Sequence, residues 1–234
     1  MSEDDLDALV RRTDPDRWLA GRFVADRTAR ADLMALYAFN HELARAAEVA
    51  SQPLVAEMRL AWWREALEEM FEGRPVRKHP AAQALARAVA SRGLEREPLE
   101  ALVDARLRDL EGWPLKAEET LDYLDATAGR LMGVAARLLA PEADPAVVRH
   151  AARAWGLAGL WRAGRLPSAW PDEDVRQRVA EAVGRSGPEL RDLPVVAFPA
   201  VAYAALAKGY VGGRGPSEVG RRLQIIWAVA RGKI

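Results

Sequence analysis

Apolar residues recur with the period of an α-helix along nearly the whole chain, and no segment shows the alternation typical of a strand. The segment from Ala25 to Ala50 places Leu33, Leu36, Tyr37 and Leu43 on one face of such a helix. The pattern therefore predicts an amphipathic helix whose apolar face lies in a core.

Proline and glycine mark the ends of the next helix. The segment "PLVAEMRLAWWREALEEMFEG" has Pro53 at its first turn and Gly73 at its C-terminal cap. Trp62 and Trp63 are about 100° apart on this helix, which predicts that one ring is in the core and the other is more exposed. Further helices are predicted over Pro80–Ser91, Arg96–Glu111, Glu118–Ala140, Pro145–Ala163, Asp172–Val183, Val195–Tyr210 and Ser217–Arg231.

Short joints with proline or glycine are scattered evenly, and no repeat or low-complexity tract divides the chain. The pattern predicts one all-α domain over residues 1–234. The longest polar joint is "RAGRLPSAWPDED", around Gly164.

Composition narrows the range of functions. Lys plus Arg and Asp plus Glu number 34 each, so no net field favours nucleic acid, and cysteine is absent. The N-terminus lacks the apolar stretch of a secretory signal. The longest apolar run, beginning at Val195, has 13 residues and contains Pro199, whereas a spanning helix needs about 20. We expect a cytoplasmic protein that at most contacts the inner membrane peripherally.

The sequence lacks the residues on which several classes of enzyme depend. No two of His41, His79 and His150 lie within four positions of each other, so no helical histidine pair for zinc exists. The sequence contains no nucleophile elbow, P-loop or dinucleotide-binding motif. These absences disfavour zinc enzymes, α/β-hydrolases and nucleotide-binding enzymes.

Carboxylates at helical spacing are the remaining candidates for metal chemistry. Three pairs share a helix face: Glu65 with Glu69, Glu68 with Glu72, and Asp122 with Asp125. Such pairs can hold magnesium in a helical bundle. The alternative is that they form the solvated faces of amphipathic helices, with Arg64 and Arg74 near the first set, and the pattern favours it.

Five blocks occur along the chain in a recognisable order: "DPDRWLAGRF", "RADLMALYAFNHELARAAEV", "MRLAWWREALEEMFEGRPVRKHPAAQAL", "LRDLEGWPLKAEETLDYLDATAGRLMG" and "LPVVAFPAVAYAALAKGY". In order and spacing they resemble the squalene/phytoene synthase family, from about Asp14 to Lys208. The resemblance implies an all-α isoprenoid synthase-like bundle around a central cavity. It also implies that active relatives join two prenyl diphosphates, using magnesium held between two Asp-rich helices.

The first Asp-rich helix of that family departs from its pattern in this chain. Catalytic members show C-R-x-x-D-D-x-x-D after "YAF". Here Asn40 and His41 stand at the first two positions, Ala44 and Arg45 at the aspartate pair, and Glu48 at the last acid. One carboxylate of three is left.

The second Asp-rich segment is absent. "WGLAGLW" continues through Arg162 and Ala163 directly into "GRLP", and the acids of Asp172–Asp174 lie beyond that joint. Magnesium needs carboxylates facing each other across the cavity. The resemblance thus implies no catalytic residue, no metal site and no cofactor, with magnesium required only if the chain is a divergent prenyltransferase.

The positive guanidinium of Arg45 would repel a metal cation at this position. A guanidinium nevertheless binds phosphate well. The cavity could therefore hold a prenyl diphosphate or an anionic lipid without metal. The predicted ligand-binding residues are Tyr37, His41, Arg45, Glu48 and Tyr123. The alternative, favoured by helical spacing, is that Arg45 pairs with Glu42 or Glu48.

The "YAFN-x-E-L-A" form resembles a branch of the family in alphaproteobacteria and mitochondria, whose mitochondrial members are assembly factors for respiratory complex I. Three interpretations stay open. The first, favoured by the resemblance, is a non-catalytic assembly or lipid-binding protein whose partner is a respiratory-complex subunit or a lipid. The second is a divergent prenyltransferase that uses Glu48 with Asp122 and Asp125. The third is a helical scaffold with a filled cavity.

Overall fold

A computed structural model describes residues 3–48, 52–213 and 215–234, and its regular elements in these ranges are all helical. The predicted all-α class is therefore confirmed. The chain divides into two compact units, one ending at Gly112 and the other beginning at Trp113. A single domain over residues 1–234 stays a prediction.

The first unit contains six of the α-helices in the described residues and a short 3-10 segment. These are α1 (Glu3–Thr13), α2 (Pro15–Gly21), α3 (Arg27–Glu48), α4 (Pro53–Phe71), α5 (Pro80–Arg92), α6 (Arg96–Ala105) and the 3-10 segment Arg106–Leu110. Helix α3 packs against α1, α4 and α5. The predicted end of this helix at Ala50 lies outside the described residues.

The core of the first unit is built on the predicted apolar face of α3. Leu33, Leu36, Phe39 and Leu43 on this helix are almost completely buried. Helix α4 has Pro53 in its first turn. Its end also matches the prediction, because Gly73 follows it with a φ of +67°.

The second unit contains the remaining α-helices and several short helical segments. The α-helices are α7 (Ala117–Leu124), α8 (Arg130–Leu139), α9 (Arg149–Arg162), α10 (Asp172–Glu189), α11 (Ala207–Val211) and α12 (Glu218–Arg231). Helix α9 packs against α10 and α11. At its centre the ring of Trp155 meets the rings of Tyr203 and Tyr210 edge-on, at 5.0 and 6.0 Å between centroids.

The helix predicted over Val195–Tyr210 is wrong for most of its length. The structure has 3-10 turns at Val195–Ala200 and Ala202–Leu206 before α11 begins. Pro199 has no N–H with which to continue an α-helical ladder, and the chain therefore adopts tighter turns around it. The apolar residues of the segment are nevertheless largely buried.

The helix predicted over Glu118–Ala140 is interrupted by a π-helical turn, Asp125–Gly129. The hydroxyl of Thr127 donates to the carbonyl of Tyr123 at 2.6 Å, a side-chain bond that competes with the backbone ladder. Tyr123 and Thr127 are both buried, so this part of the predicted helix faces the interior of its unit.

Helix length and apolar character bear on membrane insertion. Within residues 3–48, 52–213 and 215–234, the structure has no helix that combines the length and the apolar character needed to cross a bilayer.

Candidate functional site

The second half of α3 holds four of the five predicted ligand-binding residues. Tyr37 is buried, with the Arg17 guanidinium 5.7 Å from its ring centroid, while His41 is half-buried and Arg45 and Glu48 are exposed. The fifth residue, Tyr123, belongs to the other unit, where the Trp113 ring meets it edge-on at 5.6 Å.

Asn40 stands where the catalytic pattern has cysteine, and it has a structural partner. Its side-chain oxygen accepts a hydrogen bond from Nη2 of Arg106 at 3.1 Å, and Nη1 of Arg106 donates to Asp109 at 3.3 Å. This chain of contacts fixes α3 to the 3-10 segment after α6. Sequence reasoning missed Arg106, because it is 66 residues from Asn40.

Arg45 has the partner that helical spacing favours. Its Nη1 lies 3.9 Å from Oε1 of Glu42, which is a loose ion pair on an exposed face. An exposed pair of this kind contributes at most about 1 kcal/mol, so a phosphate-bearing ligand could displace Glu42 at low cost.

Burial lowers the pKa of the His41 imidazole below its ordinary value of about 6.5. The Arg45 charge lowers it further, and the Glu42, Glu48 and Asp14 carboxylates act in the opposite direction. His41 is therefore mainly neutral at physiological pH, and it would offer a ligand a neutral donor rather than a positive charge.

The depressed pKa of His41 predicts a pH dependence of stability. The unfolded chain binds the His41 proton at a higher pH than the folded chain does, so this contribution is complete above about pH 6.5 and is lost as pH falls through the folded pKa. Between about pH 7.5 and pH 5, the free energy of unfolding of His41→Gln should therefore fall less than that of the wild type. Urea titrations at both pH values test this, and parallel losses would contradict it.

Arginines bind both acids of the first two carboxylate pairs and Asp125 of the third. Glu65 and Glu69 both accept hydrogen bonds from Nη2 of Arg77, at 3.0 and 2.7 Å, and Arg74 pairs with Glu68 and Glu72. The prediction named Arg64 and Arg74, whereas Arg77 is the partner of Glu65 and Glu69, and Arg64 pairs with Asp104. In the described part of the chain, no three His, Cys, Asp or Glu side chains are grouped so that they could hold a metal ion.

Asp125 forms a bidentate ion pair with an arginine of the same unit. Both of its carboxylate oxygens accept hydrogen bonds from Arg153 of α9, at 2.7 Å from Nε and 2.6 Å from Nη2. The hydrogen bond to Asp125 raises the pKa of the Arg153 guanidinium. The pair joins the π-helical turn to α9, and it occupies the oxygens that the prenyltransferase interpretation would assign to magnesium.

A cavity of about 410 Å³ in the first unit was not anticipated. It is lined by residues of α1, of the first half of α3 and of α5, and its apolar lining residues include Met34 and Ala84. Its charged lining residues are Arg22, Arg27, Arg30, Arg87, Asp7 and Asp32. Four arginines against two aspartates make it a cationic cavity.

Both aspartates of the cavity already accept hydrogen bonds. Asp32 accepts one from Nε of Arg92 at 2.7 Å, and Asp7 accepts one from the Trp18 indole at 2.9 Å. Among the cavity arginines, Arg30 donates to the Val24 carbonyl at 3.5 Å, a weak contact with a neutral group. The cavity therefore suits an anionic group such as phosphate.

The sequence of the chain is similar to one protein family and to a group of named proteins. The family model described as "Squalene/phytoene synthase" matches residues 10–193. Proteins named "NADH dehydrogenase (ubiquinone) complex I, assembly factor 6" are similar to it, at 28% identity in Mus musculus, 29% in Rattus norvegicus and 27% in Homo sapiens. Each match extends over 159 residues and covers 66% of this chain and 47% of the relative. The chain thus spans about half the length of the curated relatives it matches.

Solved structures share the fold. A dehydrosqualene synthase in complex with ligand superimposes with a TM-score of 0.79 at 14% identity, covering 97% of this chain and 95% of that one. Squalene synthase HpnC from Alicyclobacillus acidocaldarius gives 0.67 at 17% identity, covering 90% and 92%. The predicted isoprenoid synthase-like fold is therefore confirmed.

Proposed function

The chain belongs to the squalene/phytoene synthase family, and on that premise we propose that it is a non-catalytic member that assists the assembly of a respiratory complex. The observation that supports this proposal most is the loss of the acidic residues that hold magnesium in catalytic members of the family. Of the first Asp-rich motif only Glu48 is left, the second motif is absent, and Asp125 is paired with Arg153. The curated relatives are named as complex I assembly factors.

The chemistry of the family explains why lost carboxylates imply lost catalysis. A prenyl diphosphate ionises only when cations neutralise its leaving group, and hard carboxylate oxygens hold those cations. Arg45 adds a positive charge at a position where the catalytic pattern has an aspartate. An assembly role needs no such acids, because it depends on a surface that a subunit of the complex recognises.

The assembly role is tested in the organism that encodes the chain. Deletion of the gene should reduce the amount of assembled complex I on native gels, and the wild-type gene should restore it. A matched measurement of prenyl lipids should show no loss of squalene-type products. Normal complex I in the deletion strain would refute the proposal.

The proposal predicts that the purified chain is inactive on prenyl diphosphates. Given farnesyl or geranylgeranyl diphosphate with magnesium, it should release no diphosphate above background, because no magnesium clamp can form. A catalytic member of the family serves as the positive control. Turnover that a Glu48→Gln change abolishes would instead support the prenyltransferase interpretation, in which Glu48 acts with Asp122 and Asp125.

We further propose that the chain retains an anionic ligand, either a prenyl diphosphate or an anionic lipid headgroup. Two places support this: the end of α3, where Arg45 is cationic and His41 is a neutral donor, and the arginine cavity at the beginning of the same helix. Arg30 and Arg45 are 15 residues apart on α3, or about 22 Å along the helix axis. Variants can therefore distinguish the two places.

If the ligand lies at the end of α3, binding should be metal-independent and weakened by salt. Arg45→Ala should weaken it roughly tenfold, and Glu48→Ala much less, because a carboxylate favours an anion only through a bridging cation. Calorimetric titration with prenyl diphosphates and anionic phospholipids at low salt measures both effects. A greater loss in Glu48→Ala would indicate a residual metal site, and a loss confined to Arg30→Ala would place the ligand in the cavity.

A further inference from the structure

Helix α12 has an apolar stripe that faces away from its own unit. Val219, Leu223, Ile226 and Trp227 follow one another at helical spacing, with 46 to 66% of each residue exposed. The opposite side of the helix is packed, because Ile225 and Ala228 are buried and α12 contacts the 3-10 segment Ala202–Leu206. The stripe therefore has no role in the core of its unit.

Basic residues lie on both sides of this stripe. At 100° per residue, Arg222 falls at one edge and Arg231 at the other. The Arg231 guanidinium lies 4.0 Å from the centroid of the Trp227 ring, and Nη2 of Arg222 is 2.5 Å from Glu218 in the first turn. An exposed indole beside a guanidinium combines an amphipathic ring with a cation on one edge of the helix.

Charge is concentrated on this helix, although the whole chain is balanced at 34 basic and 34 acidic residues. The segment from Glu218 to Lys233 contains four basic residues and one acid, a net charge of +3. Its basic residues are Arg221, Arg222, Arg231 and Lys233. An excess of positive charge around an apolar stripe complements a surface that is apolar inside and anionic at its boundary.

We infer that α12 is an interfacial helix that lies on an anionic phospholipid surface. Its apolar stripe would enter the boundary between headgroups and acyl chains, and its flanking arginines would contact lipid phosphates. The 14 residues of α12 give it a length of about 21 Å in the plane of the surface. This inference goes beyond the assembly role and does not depend on it.

The test is co-sedimentation of the full chain with phosphatidylcholine vesicles, with and without phosphatidylglycerol. The wild type should bind the vesicles with phosphatidylglycerol, and salt should weaken this binding. Leu223→Asp and Ile226→Asp should each weaken it roughly tenfold or more. Arg222→Gln with Arg231→Gln should weaken it by a similar factor.

Exposed apolar residues of the other unit provide matched controls. Leu54 and Met58 on α4 are 61% and 64% exposed, so Leu54→Asp and Met58→Asp change the same kind of surface elsewhere. These variants should bind vesicles as the wild type does. An equal loss in the α12 and α4 variants would overturn the inference, and so would a wild type that does not bind anionic vesicles.

A conservative variant covers the case in which an aspartate on α12 disturbs folding. Brominated lipids quench an indole that enters the headgroup boundary. The quenching of the wild type should therefore largely disappear in Trp227→Phe, which keeps an aromatic side chain on the stripe. Equal quenching in the two proteins would show that α12 does not enter the lipid surface. A protein subunit would then be the better occupant of the stripe.

Discussion

Replacing Trp63 by alanine should lower the free energy of unfolding by about 3–5 kcal/mol, the range typical of a buried aromatic residue. Trp63 is only 4% exposed, and its ring meets the ring of Phe39 edge-on at 5.1 Å. Phe39 belongs to the buried face of α3, so the substitution would leave a cavity between α3 and α4. Urea unfolding of the wild type and the variant measures the loss.

Trp62, next in sequence, is the matched control. Its ring lies outside the core, 5.0 Å from the Arg77 guanidinium and 5.4 Å from the His79 ring. Trp62→Ala should therefore cost about 1–2 kcal/mol, mainly from lost aromatic and cation–π contacts. Equal and small losses for the two variants would show that α4 does not pack against α3 through Trp63.

The order of burial at this doublet could be predicted in part. The 100° step between neighbours indicates that only one ring is in the core, and the structure shows that this ring is Trp63. The ends of α4 could also be predicted from the sequence, because proline and glycine determine the backbone conformation at their own positions. Local chemistry of this kind needs no knowledge of the tertiary fold.

Helices α1 and α2 were not predicted, because the N-terminal segment reads as acidic and polar. Among residues 5–13 of α1, whose burial the structure describes, the buried apolar residues are Leu6 and Val10, and two positions are too few to show a helical period. In α2, by contrast, the Asp14 side chain caps the helix by accepting from the Arg17 N–H. This cap is a local signal that the sequence does contain.

Partners distant in sequence could not be predicted. Glu69 meets Arg77 across 8 residues, and Asp32 meets Arg92 across 60. The arginine cavity likewise combines residues that precede α3, lie within it and lie on α5. Periodicity indicates which face of a helix is polar, but only tertiary packing determines which basic residue reaches which acid.

The same limit applies to the candidate site. The replacement of the aspartate pair by Ala44 and Arg45 can be recognised by motif comparison alone, and this replacement disfavours a metal site. The role of Asp125 cannot be predicted from the sequence, because its helical spacing from Asp122 fits a metal ligand as well as an ion pair. The structure favours the ion pair, and this difference can be measured.

Removing Arg153 should lower the free energy of unfolding by about 1.5–3 kcal/mol, the usual contribution of hydrogen bonds to charged groups. Arg153→Ala leaves the Asp125 carboxylate without either of its two donors, in a pair whose side chains are 22% and 31% exposed. Arg149 lies on the same helix and is exposed. Arg149→Ala should therefore change the free energy of unfolding by less than about 0.5 kcal/mol.

A double-mutant cycle with Asp125→Asn separates the ion pair from a metal site. If the two side chains stabilise α9 against the π-helical turn, the double variant should lose clearly less than the sum of the single variants. Magnesium should then leave the melting temperature of the wild type unchanged. If Asp125 is a metal ligand instead, magnesium should raise that temperature in the wild type and not in Asp125→Asn, and the losses in its absence should add. Additive losses together with a magnesium-dependent shift would return the chain to the prenyltransferase interpretation, because a carboxylate of the second unit would then be available to a cation.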